Sequence, residues 1–170
     1  TYFQYERNDI NGLLQKYDAD FNPLGNLRSL SAKISSSWQT EPTVYSNDKG
    51  YSLVLWRDRR NGREDIYGQV YDDSYNPVGE NIKINDSEGE HWFLNDRDAA
   101  SFTDGTFLVA FSGGELLNDN SLYFQKVSPD GKKIGSNKIL GNYYSDYNVA
   151  LSINNADDIL FCWYDGGHYK

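Results

Sequence analysis

The sequence predicts an all-β chain of repeated four-stranded antiparallel sheets, on three observations. The first is composition. With 14 Tyr, 8 Phe and 4 Trp, aromatics make up 15 % of 170 residues that include no Met, and flat side chains suit a pleated surface. The second is an internal repeat. Gln15, Gln69 and Gln125 step by 54 and then 56 residues, and Gly25, Gly79 and Gly135 take the same two steps. The third is an aromatic landmark in the same phase, at Tyr2, Trp56, Phe111 and Trp163. Independent markers sharing one period of this length point to repeated supersecondary units.

Each unit reads as four short strands. In the best-defined copy, a first strand at Thr43–Ser46 ends in the turn Asn47-Asp48-Lys49-Gly50. The second, Tyr51–Trp56, is almost continuously apolar, as expected of a strand buried on both faces. A loop over Arg57–Glu64 leads to a third strand, Asp65–Tyr71, which alternates. A turn with Asn76-Pro77 then opens a fourth strand through Ile82-Lys83-Ile84, with one face buried and one wet. The order recurs at Ala99–Phe102, Thr106–Phe111, Ser121–Val127 and Lys133–Ile139, and begins again at Asn148–Ile153 and Ile159–Trp163. Leu13–Asp18 and Asn22-Pro23-Leu24-Gly25 are the matching end of an earlier unit.

Four antiparallel strands in about 55 residues match a β-propeller blade; stacked hairpins or a β-sandwich are the alternatives. The expected division is a partial blade over 1–40, blades over 41–97 and 98–147, and the start of a further blade over 148–170. Propellers usually hold 4–8 blades. Three repeat lengths, starting and stopping at the same phase, are therefore expected to need the remaining blades or a second copy to close a ring.

Net charge −9 and a pI near 4.6 argue against nucleic acid, whose binders need a basic face. No apolar run approaches the roughly 18 residues that span a bilayer, so no membrane-spanning segment is expected. The single cysteine, Cys162, leaves no internal disulfide; between Phe161 and Trp163 it reads as a small buried hydrophobe.

The string Trp56-x-Asp58-x-Arg60-Asn61-Gly62-x-x-Asp65-Ile66-Tyr67-Gly68-Gln69, closing on Asn76-Pro77-Val78-Gly79, resembles repeats of bacterial secreted and cell-surface β-propeller proteins, many of them from Bacteroidetes and related groups. Only the second repeat carries it in full. The first has Gln4-Tyr5-Glu6-Arg7-Asn8 in place of its loop, and the third has Ser112-Gly113-Gly114-Glu115. The resemblance implies a binding or scaffolding unit outside the cell.

Asp58, Arg60, Asn61, Gly62 and Asp65 read as a self-bonded loop in which Asn61-Gly62 makes the turn. Gln15, Gln69 and Gln125 recur in every copy, as a side chain bonding to the neighbouring blade would. Asp18-Ala19-Asp20 and Asp72-Asp73 lack the ligand spacing, Gly and closing Glu of a calcium loop and read as hairpin turns. His91 and His168 stand in no zinc-binding spacing, and no Gly-x-Ser-x-Gly elbow occurs. No catalytic centre, metal site or cofactor is expected. The loops between blades differ from copy to copy and each joins an aromatic to polar groups. The candidate ligand-binding residues are Trp38 and Glu41, then His91, Trp92, Asp96 and Arg97, then Tyr143, Tyr144 and Asp146. Loops on a rigid scaffold commonly carry binding. The aromatics suit a sugar ring, a protein hot spot, or a plug between blades.

Three functions follow as expectations: a non-catalytic module contacting protein or glycan on a bacterial surface; part of a propeller enzyme acting on polysaccharide; and a structural subunit of an envelope assembly.

Overall fold

The computed structural model describes residues 12–30, 38–62, 64–86, 96–113, 121–141 and 149–163. These form twelve strands and no helix: β1 (Leu13–Tyr17), β2 (Pro23–Ser29), β3 (Gln39–Ser46), β4 (Ser52–Asp58), β5 (Asp65–Tyr71), β6 (Pro77–Lys83), β7 (Arg97–Ser101), β8 (Phe107–Gly113), β9 (Ser121–Val127), β10 (Lys133–Gly141), β11 (Val149–Ile153) and β12 (Ile159–Trp163). They pair as antiparallel meanders into sheet I (β1-β2), sheet II (β3-β4-β5-β6), sheet III (β7-β8-β9-β10) and sheet IV (β11-β12). The described residues form no closed ring.

The repeat is visible in the turns. Between the first and second strands, Asn47 N–H donates to Tyr51 O, Phe102 N–H to Thr106 O and Asn154 N–H to Asp158 O. Each turn places one residue at positive φ, namely Gly50, Gly105 and Asp157. Asn47 Oδ1 accepts from the backbone N–H of Lys49 and Tyr51, and Asn154 Oδ1 from those of Ala156 and Asp158. A short amide at that position thus organises the turn around its own side chain. The turns before β2 and β6 use Asp in the same way. Asp18 Oδ1 accepts from Asp20 and Asn22 N–H, and Asp72 Oδ1 from Asn76 N–H.

Gly25, Gly79 and Gly135 all have φ near +70° and lie where the third and fourth strands shift register. A residue with a Cβ pays for that conformation, so glycine recurs. The repeated glutamine closes the bulge. Gln15, Gln69 and Gln125 each donate from Nε2 to the carbonyl preceding that glycine, at 3.2, 2.9 and 3.2 Å. The expectation that this side chain reaches a neighbouring unit is corrected: these bonds stay within its own sheet. Its Oε1 accepts from Asn81 in sheet II and from Asn137 in sheet III.

The sheets stack face on face in chain order. Leu53, Leu55, Ile66, Val70 and Ile84 of sheet II and the residue following it pack against Ala99, Phe107, Val109, Phe111 and Val127 of sheet III. On the other face of sheet II, Val54, Trp56, Tyr67 and Tyr71 pack with Leu14 and Leu30 at sheet I. Both β4 and β5 are therefore sandwiched. The alternating side chains of Asp65–Tyr71 line two faces that are both buried. Each large apolar side chain so covered contributes ~1.5–3 kcal/mol. Sheet IV lies on sheet III, where Phe124 meets Phe161 edge to face at 5.1 Å. β7 and β11, the first strands of their sheets, are neighbours, and β3 touches β7.

Cys162 corrects a second expectation: its side chain is exposed. It lies on the face of sheet IV turned away from sheet III, and no described sheet covers that face.

Candidate binding surface

One end of sheets II and III gathers Trp38, Glu41, Arg57, Arg59, Glu64 and Arg97. Its shape starts at Pro42, which has no N–H to give to the ladder and favours a bulge. The register of β3 on β4 slips between Thr40 and Thr43, and Glu41 takes φ +54°, a conformation that costs a residue with a side chain about 1 kcal/mol or more. The slip turns its carboxylate toward two arginines. Glu41 Oε2 lies 3.1 Å from Arg57 Nε and 3.8 Å from Arg97 Nη1. Arg57 also reaches Glu64 at 3.6 Å, and Glu64 takes Arg59 as a further partner.

Trp38 stands at the outer edge of this network. Its carbonyl accepts from Arg59 N–H at 3.2 Å, and the Arg59 guanidinium lies over its ring at 5.1 Å. The ring is 41 % exposed and the Glu41 side chain 54 %. An open indole, a cation over it and a half-open carboxylate are thus held on one rim. Such a rim can stack on a flat apolar face and exchange hydrogen bonds around it.

Asp96 and Arg97 face inward. The Asp96 carboxylate accepts from its neighbour Arg97 N–H and, at 2.6 Å, from Val149 N–H of β11, which joins sheet III to sheet IV. Asp98 does the same for Leu151 at 2.7 Å. Arg97 is buried. Burial, reinforced by the charge of Arg57, pushes its guanidinium down from the ordinary value, while Glu41, Tyr45 and Asp96 pull the other way. His91, Trp92, Tyr143, Tyr144 and Asp146 lie outside the described residues.

The loop of Asp58 to Asp65 is tied to itself and to the sheets. The buried Asp58 carboxylate accepts from the Trp56 indole at 2.9 Å, from Arg60 Nη2 at 2.6 Å and from Arg60 N–H at 2.8 Å. Asp65, equally buried, accepts from Asn61 at 3.0 Å and Asn85 at 2.9 Å and pairs with Lys83 at 3.1 Å. The Arg60 guanidinium lies 3.9 Å from the centre of the Tyr67 ring, which stacks on Trp56. Glu41, Glu64, Asp58 and Asp65 are each engaged by a cation. Among the described residues no cluster of three His, Cys, Asp or Glu side chains is placed to hold a metal ion.

The sequence reading missed Arg57, Arg59 and Glu64. Arg57 looks like the solvated end of a strand; only the bulge brings Glu41 to it. The one signal was Pro42 within a strand. No family model matches the chain, and no curated protein sequence matches it significantly.

Proposed function

We propose that the four sheets are consecutive propeller blades and that the chain is a non-catalytic binding or scaffold module of a bacterial surface or secreted protein. It contacts a protein or glycan through the loops at the end that carries Trp38. The blade reading is supported by the four-stranded meanders, their face-on stacking and the adjacency of β3, β7 and β11. One observation carries the binding reading: Trp38 is an exposed aromatic with Arg59 over its ring, and Arg59 belongs to an ion-pair network that also holds the half-open Glu41. A rigid amphipathic aromatic makes an efficient anchor because little conformational freedom is lost on contact.

The test is binding of the chain to a panel of soluble polysaccharides and to extracellular protein fractions, followed by titration of Trp38→Ala against whatever binds. Affinity is expected to fall at least tenfold with the unfolding midpoint unchanged. Undiminished affinity sinks the site, and turnover of any polysaccharide replaces binding with catalysis.

A further inference from the structure

The gap between sheets I and II is built differently from the gap between sheets II and III, and the repeat shows where. Alignment by Gln15 and Gln69 places Lys16, Leu24 and Arg28 at the positions of Val70, Val78 and Ile82. In sheet II those three side chains belong to the apolar layer against sheet III. In sheet I two of the three are cations, and all three line the gap to sheet II. The turn across the gap differs too. Tyr75 N–H donates to Asp72 O and Gly131 N–H to Ser128 O, so Tyr75 and Gly131 hold the same place in their turns, at φ +58° and +74°. Gly131 presses on the backbone of Val78 and closes the layer there. Tyr75 brings a ring to the same place, and a cavity of about 330 Å³ opens between β1, β2 and the turn from β5 to β6.

The cavity is basic in a chain of net charge −9. Arg28 Nη1 donates to the Tyr75 carbonyl at 2.6 Å. Lys16 Nζ donates to the Asp73 carbonyl at 3.2 Å and lies 4.6 Å from the centre of the Tyr75 ring. Both partners are neutral backbone groups, so the two charges are left for a ligand. Arg28 is exposed and Lys16 half-buried, which leaves both within reach of solvent. Among the described residues no carboxylate lines the cavity. The acids of the adjoining turn are engaged elsewhere, Asp72 by Asn76 and Asp73 by the Ser74 hydroxyl. Leu14 and Leu24 supply an apolar wall, and Asn26 and Ser74 an amide and a hydroxyl.

We propose that this cavity binds a hexuronate, a single acidic sugar ring. Its volume lies at the small end of ligand pockets and suits one pyranose. The Arg28 fork and the Lys16 ammonium take the carboxylate. The C–H face of the ring rests on the leucines, and its hydroxyls meet Asn26 and Ser74. Along β4 and β5, Asp58 faces Asp65 at one end and Ser52 faces Tyr71 at the other. Trp38 is at the first end and the cavity at the second, so this site stands independently of the surface around Trp38.

The test is a nuclear magnetic resonance titration of the isotope-labelled chain with D-glucuronate, D-glucose and inorganic sulfate in turn. Glucuronate is expected to move the amide signals of Asn26, Arg28 and Tyr75 with a dissociation constant on the order of 1 mM, as one ring gives. Glucose and sulfate are each expected to bind at least tenfold more weakly. Arg28→Gln and Lys16→Gln should each weaken glucuronate by about tenfold, the loss of one charge-assisted bond. Tyr75→Gly keeps the positive φ at no steric cost and lets the sheets close as they do at Gly131. It is expected to abolish binding without lowering the unfolding midpoint. Glucose or sulfate binding as tightly as glucuronate overturns the hexuronate. Binding that survives Tyr75→Gly, or signals that move only around Trp38, overturns the cavity as its site.

Discussion

Asp58 shows how a charge in the interior of this chain is made tolerable. A buried carboxylate without partners is costly, and removing the partner of a buried ion pair typically destabilises by about 3–5 kcal/mol. Burial by itself pushes the Asp58 carboxyl up. The bonds from the Arg60 guanidinium, the Trp56 indole and the Arg60 amide outweigh it and hold the group below its ordinary value of 3.8. A folded state that binds the proton more weakly than the unfolded chain is stabilised by deprotonation. That stabilisation is fully present above the unfolded value of about 3.8 and is lost as pH falls through it toward the lower folded value. Asp58→Asn is therefore expected to cost about 3 kcal/mol at pH 7, because Arg60 loses its anion. The gap to the unmodified chain should narrow at pH 3, as seen by urea unfolding at both pH values. An equal gap at the two would show that the charge of Asp58 is not what holds the loop.

At the scale of the element, glycine serves two tasks, a backbone conformation at the repeated bulge and a close approach between sheets at one turn. Gly25 has φ +74° with nothing within 4 Å of a Cβ, so Gly25→Ala pays only for the backbone conformation, about 1–2 kcal/mol. Gly131, also at φ +74°, abuts the backbone of Val78 in the neighbouring sheet, and a Cβ there would run into the Val78 carbonyl. Gly131→Ala is expected to cost a further ~1–3 kcal/mol from overpacking against a group that cannot rotate away. Denaturant midpoints of the two variants measure the difference; equal losses would mean that the sheets yield at this contact. The third strands Asp65–Tyr71 and Ser121–Val127 were legible to the residue because Gln69 and Gln125 and a fixed turn bracket them. The target of the glutamine was not, since the sequence does not say which carbonyl a bulge leaves unpaired. The exposure of Cys162 was illegible for a related reason. Local apolarity reports what favours burial, not whether another sheet lies over it. At the candidate site Trp38 and Glu41 were legible as loop aromatic and neighbouring acid, while Arg57 was hidden because its partner depends on a slipped register.

For the whole molecule, consecutive sheets that touch only their neighbours make stability approximately a sum over units and the layers between them. Sheets II and III are complete, share the largest apolar layer, and have second strands buried along almost their whole length. Sheets I and IV have two described strands each and one neighbour. Amide hydrogen exchange should therefore be graded. Protection is expected to be highest at Leu53–Trp56 and Phe107–Phe111, and lower by at least a hundredfold at Leu13–Tyr17 and Ile159–Cys162 in dilute solution, because opening an end sheet disturbs a single layer. Uniform protection across all four sheets would contradict this neighbour-by-neighbour account of stability.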